Sequence, residues 1–288
     1  MKHLILLDAD KDLLIKLHDF VYLDIDFIFQ HIYTKYPNAQ TTRNRLNTLV
    51  EAGYLKFFKG AAIPGRTKNT GNIYTLTSTG VSVVEEMQGY SKWSTYWTKE
   101  LPIWYRHSIM LARAAISYME KAPEVDLAVK DYVQESRASY EYGGTSEQVI
   151  RPDGFMIIGA KDREENFGIF MEMERFISKR LVVQDKVRRY QEFLNDLTAQ
   201  QKYQYKIGAE EEVSFWKVLF ISETKESMKK TMKVLGSLKP RVGESPNPHR
   251  PGFEISVILT SLDQIQEDPL GAIYHHMDSD SYEEAQTL

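Results

Sequence analysis

The chain has no cysteine among its 288 residues. That excludes disulfides and thiolate metal sites and makes the cytoplasm the expected location. No apolar run approaches the ~20 residues of a membrane span, so no membrane association is expected. The apolar stretch in Met1–Asp8 is too short for a signal peptide. No internal repeat is evident. Basic residues are missing from the last stretch: Thr260 to Leu288 holds seven acids and no Lys or Arg, a charge of −7. What is present, 42% apolar and 26% charged residues, is the balance of a soluble globular protein, with length for two domains. The net charge of −4 conceals a basic block. Residues 35–80 carry Lys35, Arg43, Arg45, Lys56, Lys59, Arg66 and Lys68 against the single acid Glu51, giving +6. Such a block beside a helical pattern suggests a phosphate-binding face. A solvated surface is the alternative, and charge alone does not separate the two.

Three helical patterns precede Gly53. The first runs near Lys11–Phe20, with Leu13, Leu14 and Leu17 at helical spacing. The second covers about Asp24–Tyr33, capped by Asp24. Pro37-Asn38 breaks the chain, and a third helix begins near Gln40 or Thr41 and stops at Gly53. In that helix Leu46, Leu49 and Val50 are expected to face inward, and Thr42, Arg43, Arg45 and Asn47 outward. Tyr54–Phe58 then reads as a short strand and Ile73–Leu76 as its return, with a polar, glycine-rich stretch carrying Arg66 and Lys68 between them. A further helix follows Thr77-Ser78-Thr79-Gly80.

Three helices and a basic-tipped ribbon, with the phrase "LVEAGYLKFF … YTLTSTG", resemble a winged helix-turn-helix. A helix with Arg, Asn and Thr outward suits the major groove, and basic wing residues suit phosphate. The expected DNA-binding residues are Thr42, Arg43, Arg45, Asn47, Lys56, Lys59, Arg66 and Lys68, with double-stranded DNA as the partner. A winged helix used for protein contact is the alternative. Residues 1–88 form this domain, and 89–105 an aromatic junction. Three of the four tryptophans, Trp93, Trp97 and Trp104, lie there, too much apolar area for a free linker. Domain docking or a dimer contact is expected instead.

From residue 106 to 288 the pattern is a helix to about Lys121, a strand near Val125–Val133, a strand at Val149–Ile158 and a turn at Lys161–Asn166. A strand at Phe167–Arg175, a helix at Lys179–Leu197 with Val183, Val187, Tyr190 and Leu194 inward, a strand at Phe215–Ser222, a helix at Lys225–Leu238 and a strand at Phe253–Thr260 complete it. Lys239–Gly252, with four prolines, reads as an irregular loop. Asp153 lies on the second strand. Glu172 and Glu174 share one face of the third by the two-residue period. The order resembles the PD-(D/E)xK nuclease-like core, a mixed sheet flanked by helices. The whole chain is thus expected to be mixed α+β and α/β. That resemblance implies Mg or Mn held by Asp153, Glu172 and Glu174. Glu174 stands where those enzymes carry lysine, and Lys186 on the next helix is the candidate replacement. With these three acids, Lys186 completes the expected catalytic set of an active enzyme. Salt-bridged acids at a sheet rim are the structural alternative.

The winged helix, the aromatic joint, "RPDGFMII", "FMEMERFISKRLVVQDKVRRYQEF" and "LTSLDQIQEDPLGAIY" together resemble the replication-relaxation family of plasmids, phages and mobile elements of Gram-positive bacteria. The resemblance covers nearly the full length. It implies a DNA-binding protein of replication or its control, expected as a homodimer. A divalent-metal-dependent nuclease or nickase is the second expectation. A transcriptional regulator with an inactive nuclease-like dimerisation domain is the third.

Overall fold

The computed structural model describes residues 4–60, 71–145, 148–174, 180–236, 256–277 and 284–288. The expected loop at 239–252 lies outside them, as do Arg66 and Lys68. The chain divides into two compact units, Met1–Ala112 and Arg113–Leu288.

In the first unit the helices are α1 (Asp8–Phe20), α2 (Ile25–His31), α3 (Ala39–Glu51), α4 (Ser78–Gln88) and α5 (Tyr96–Lys99). Strands β1 (Leu23–Asp24), β2 (Leu55–Lys59) and β3 (Asn72–Leu76) form an antiparallel sheet in the order β1-β3-β2. Local chemistry sets the boundaries. Asp24 accepts from the Phe27 N–H at 2.7 Å and starts α2. Asn38 accepts from Thr41 at 3.0 Å and starts α3. Gly53, at φ +84°, ends α3: its N–H reaches Val50 O and the Tyr54 N–H reaches Leu49 O, both at 3.0 Å, a turn that only a left-handed residue closes without strain. Leu13, Leu14, Leu17, Phe27, Ile28, Leu46, Leu49 and Leu76 are fully enclosed. The aromatic stretch packs on this same unit, with Trp97, Tyr105 and Ile109 clustering with Val21, Tyr22 and Ile73. The Tyr22 hydroxyl donates to the Trp97 carbonyl at 2.9 Å.

Helix α6 (Tyr105–Lys121) leads into the second unit. Its strands are β4 (Leu127–Gln134), β5 (Tyr140–Glu141), β6 (Val149–Ile150), β7 (Gly154–Ala160), β8 (Asn166–Glu174), β9 (Phe215–Ser222), β10 (Ser256–Ser261) and β11 (His275–His276). Its remaining helices are α7 (Glu135–Ala138), α8 (Arg180–Leu194), α9 (Leu197–Ile207), α10 (Lys225–Gly236) and α11 (Leu262–Glu267). The main sheet has the order β11-β10-β9-β8-β7-β4 and is mixed. Strand β8 runs parallel to β9, and β9 to β10, while β4, β7 and β11 are antiparallel to their neighbours. Strand β8 is buried from Gly168 to Glu174, on both faces, as a central strand beside a parallel partner should be. One face packs Phe155, Phe170, Val218, Phe220 and Leu259 against α8, α9 and α10 through Val187, Phe193, Tyr203 and Met228. On α6, Tyr118 meets Tyr274 hydroxyl to hydroxyl at 2.5 Å.

Two expectations change here. Val149–Ile158 is not one strand, because Arg151-Pro152-Asp153 interrupts it: β6 pairs with β5, and β7 begins at Gly154. Proline has no N–H to give a ladder, so the break falls on it. Helix α9 is missing from the expected pattern. It is started by Asp196, which accepts from the Thr198 and Ala199 N–H groups, and closed by Gly208 at φ +70°.

Candidate DNA-contact face and acidic site

Helix α3 sorts its residues into two faces. Thr42, Leu46 and Leu49 are buried, whereas Gln40, Arg43, Asn44 and Asn47 are exposed. The Gln40 amide donates to Asn44 at 3.0 Å. Gln40 and Asn44 are not among the expected contact residues, although each stands three residues before one that is, Arg43 and Asn47, a spacing legible in the sequence.

Thr42 and Arg45 depart from the outward position expected of them. Thr42 stands four and seven residues before Leu46 and Leu49, on the same stripe, and is wholly buried. Arg45 turns to α1. Its Nε donates to Asp10 Oδ1 at 3.0 Å, a terminal nitrogen donates to Oδ2, and the same nitrogen reaches the Ile5 carbonyl at 3.1 Å. Tyr33 donates to the same carboxylate at 2.6 Å. Burial alone would raise the Asp10 carboxyl, but hydrogen bonds from Arg45, Tyr33 and the Leu7 N–H outweigh it and hold the group below its ordinary range. Lys56 is also engaged internally: its ammonium donates to the carbonyls of Thr98, at 2.7 Å, and Lys99, at 3.1 Å, and lies 4.8 Å from the Phe58 ring centre. Lys59, at the end of β2, is exposed.

The second unit brings Asp153, Glu172, Glu174 and Lys186 together. Asp153 precedes β7. Its own N–H continues the ladder to Met171 O at 3.0 Å, and its Oδ2 takes the Met173 N–H at 2.7 Å. Met173 lies past the last β7 partner, since Gly154 pairs with Met171, so the Asp153 carboxylate supplies an acceptor where the β7 ladder has ended. Glu172 and Glu174 project from β8 toward α8 and are 1% and 5% exposed. Lys186 Nζ lies 2.6 Å from Glu172 Oε2 and 3.3 Å from Glu174 Oε1. Tyr190, one helical turn on, donates its hydroxyl to the other Glu172 oxygen. The sequence pattern marks Tyr190 as a core residue, and nothing in its spacing gives away the hydrogen bond.

The Glu172 carboxyl is raised to about 7 on balance: burial pushes it up, the Lys186 charge pulls it down, the Asp153 charge pushes it up, and hydrogen bonds from Lys186 and Tyr190 pull it down. Burial alone would lower Lys186, but the charges of Glu172, Asp153 and Glu174 outweigh it and raise the group. A cavity of about 560 Å³, lined in part by Phe167 and Phe215, opens at the other end of β8 and β9 and includes none of these acids.

Carboxylate oxygens are the donors that Mg and Mn prefer. Here, however, the position between Glu172 and Glu174 is filled by an ammonium. Among the described residues, no group of three or more His, Cys, Asp or Glu has the geometry to hold a metal ion. With Lys186 in place, the site does not fit a divalent cation.

A mixed α/β fold with paired acids at the end of a central strand defines a broad class. Residues 25–208, well over half of the chain, match the replication-relaxation family, and the chain belongs to it. The match runs from α2 through α9 and includes the α3 face, the three acids, Lys186 and Tyr190. No curated protein matches the chain. Among solved structures, restriction endonuclease FokI is similar over 90% of this chain and 42% of its own, at 12% identity and a TM-score of 0.31. FokI bound to DNA gives 89%, 43%, 13% and 0.29 in the same order, and the SdaI restriction endonuclease 91%, 82%, 12% and 0.27. The chain thus spans less than half of FokI, and likenesses this slight carry no argument. No helix among the described residues is long and apolar enough to cross a membrane.

Proposed function

We propose that the chain is a cytoplasmic, homodimeric, double-stranded-DNA-binding protein of a plasmid, phage or other mobile element, acting in replication or its control. The first unit is read as a winged helix-turn-helix, with α3 as the recognition helix and β2–β3 as the wing. One observation carries this reading: the exposed face of α3 presents Gln40, Arg43, Asn44 and Asn47, and the helix has no acid in its first turn. Arginine suits the guanine edge, and asparagine or glutamine the adenine edge, in the major groove. Lys59 supplies a phosphate contact, and Arg66 and Lys68, outside the described residues, are assigned to the wing tip. Family membership supports the setting. In a gel-retardation assay on DNA from the element's replication region, Arg43→Ala with Asn47→Ala should abolish the shift while the far-UV circular dichroism stays unchanged. Unaltered affinity would refute the reading.

The second unit is read as a PD-(D/E)xK nuclease-like domain, and a Mg- or Mn-dependent nuclease or nickase is the second reading, one that requires Lys186 to leave its position between Glu172 and Glu174 before a metal binds. The observation behind it is that Asp153, Glu172, Glu174 and Lys186, drawn from the approach to β7, from β8 and from α8, meet at one place. Incubating the pure protein with supercoiled plasmid and Mn²⁺ tests it. Nicking that disappears in Asp153→Ala supports an enzyme. No nicking, or nicking that survives the substitution, rejects it.

A further inference from the structure

We infer that Lys186 is the built-in counter-ion of the acidic site and competes with divalent metal for it, so that an ammonium is the resident cation of the free protein. The inference rests on the acidic site of the second reading, but it concerns occupancy rather than cleavage.

Three observations support it. The first is position. Lys186 Nζ contacts Glu172 Oε2 at 2.6 Å and Glu174 Oε1 at 3.3 Å, so any ion bridging those two oxygens would have to sit where the ammonium sits. Two cations at that separation, in a largely enclosed site, repel each other strongly. The second is commitment of two further oxygens. Glu172 Oε1 accepts from Tyr190, and Asp153 Oδ2 accepts from the Met173 N–H. A hard ion drawing on either of these oxygens would compete with its hydrogen bond as well as displace the lysine. The third is the means of displacement. The Lys186 side chain is 32% exposed at the end of a flexible four-carbon stem, whereas Glu172 is fixed inside the sheet. The lysine is therefore the member of the site that can move out.

Removing the ammonium should uncover a cation site. The test is Mn²⁺ binding to the full-length protein, by titration calorimetry and by loss of the free-ion EPR signal, in wild type, Lys186→Met and Lys186→Met with Asp153→Asn. Asparagine keeps an acceptor for the Met173 N–H while removing the charge. Lys186→Met is expected to bind one Mn²⁺ at least about tenfold tighter than wild type, with the gain abolished in the double variant. Equal, Asp153-dependent affinity in wild type and Lys186→Met would mean that ammonium and metal coexist, and would overturn the inference. So would absence of binding in a Lys186→Met protein that melts cooperatively. If that variant does not fold, Lys186→Gln takes the same test. Plasmid nicking is scored separately, so a wild type that cuts while its Mn²⁺ affinity ignores Lys186 would sink this inference and leave the nuclease reading standing.

Discussion

Arg45 on α3 and Asp10 on α1 form a two-pronged ion pair, one prong at 3.0 Å, and the Asp10 side chain has no exposed surface. The most basic-looking helix of the first unit thus uses one of its two arginines to hold itself in place.

This pair separates structure from recognition by mutation. Arg45→Ala leaves a buried carboxylate without its partner and should cost roughly 3–5 kcal/mol of unfolding free energy. Arg43→Ala should leave stability nearly unchanged and weaken DNA binding by about 1–3 kcal/mol. Urea titration and gel retardation on the same two proteins check both. Equal stability of the two variants would contradict the assignment.

Thr42→Val should leave DNA affinity unchanged. Its hydroxyl is buried with no hydrogen-bond partner, and valine has nearly the same shape. Stability should hold or rise, because an unpartnered hydroxyl is removed from the core. A loss of binding, measured by fluorescence anisotropy, would put Thr42 back on the contact face.

Stability should respond to pH in two windows of opposite sign. Glu172 is raised on balance from 4.5 to about 7, burial being the largest cause, so the folded state holds that proton more tightly, and folding weakens as pH rises through this interval. Asp10 is raised by burial but lowered further by its hydrogen bonds, to a net position below 3.8. Its contribution is present above that value and fades as pH falls through the depressed one. Glu172→Gln should flatten the upper slope and Asp10→Asn the lower one. Denaturation midpoints from pH 3 to 8, taken in steps of about half a unit, resolve both slopes.

Tyr190→Phe should move Glu172 further up. The hydroxyl donates to the charged carboxylate and so favours ionisation, and phenylalanine takes that donor away without changing the packing. The carbonyl stretch of protonated carboxyl groups, followed by infrared titration against Glu172→Gln, should shift to higher pH. The cost in stability should be about 1–3 kcal/mol.

Much of this is legible in the sequence, for identifiable reasons. The alternation along Phe167–Glu174, the bounds of β9 and the spacing of Val183, Val187, Tyr190 and Leu194 are local periodicities, and local periodicity is what sequence carries best. Lys186 comes instead from the nuclease-like resemblance, which calls for a lysine near the acids, and α8 is the element that follows them. What escapes depends on long-range pairing or on weak local signals. Arg45 looks like a contact residue because Asp10, thirty-five positions earlier, gives no sign of lying beneath it. In α9, Ala199, Tyr203 and Ile207 form the buried stripe, but Gln200, Gln201, Lys202 and Gln204 between them blur the apolar face. Pro152 does mark the end of a strand, but the apolar residues on both sides of it make the two strands look like one.

Strand β8 holds two acids at a spacing of two, and α8 holds their two donors, Lys186 and Tyr190, at a spacing of four. The backbone spacing of each pair is fixed by its own element. The site is therefore a lock with one keyway. A single residue inserted in α8 ahead of Lys186 would turn both donors by about 100° together, so that every side chain stays intact while neither donor faces an acid.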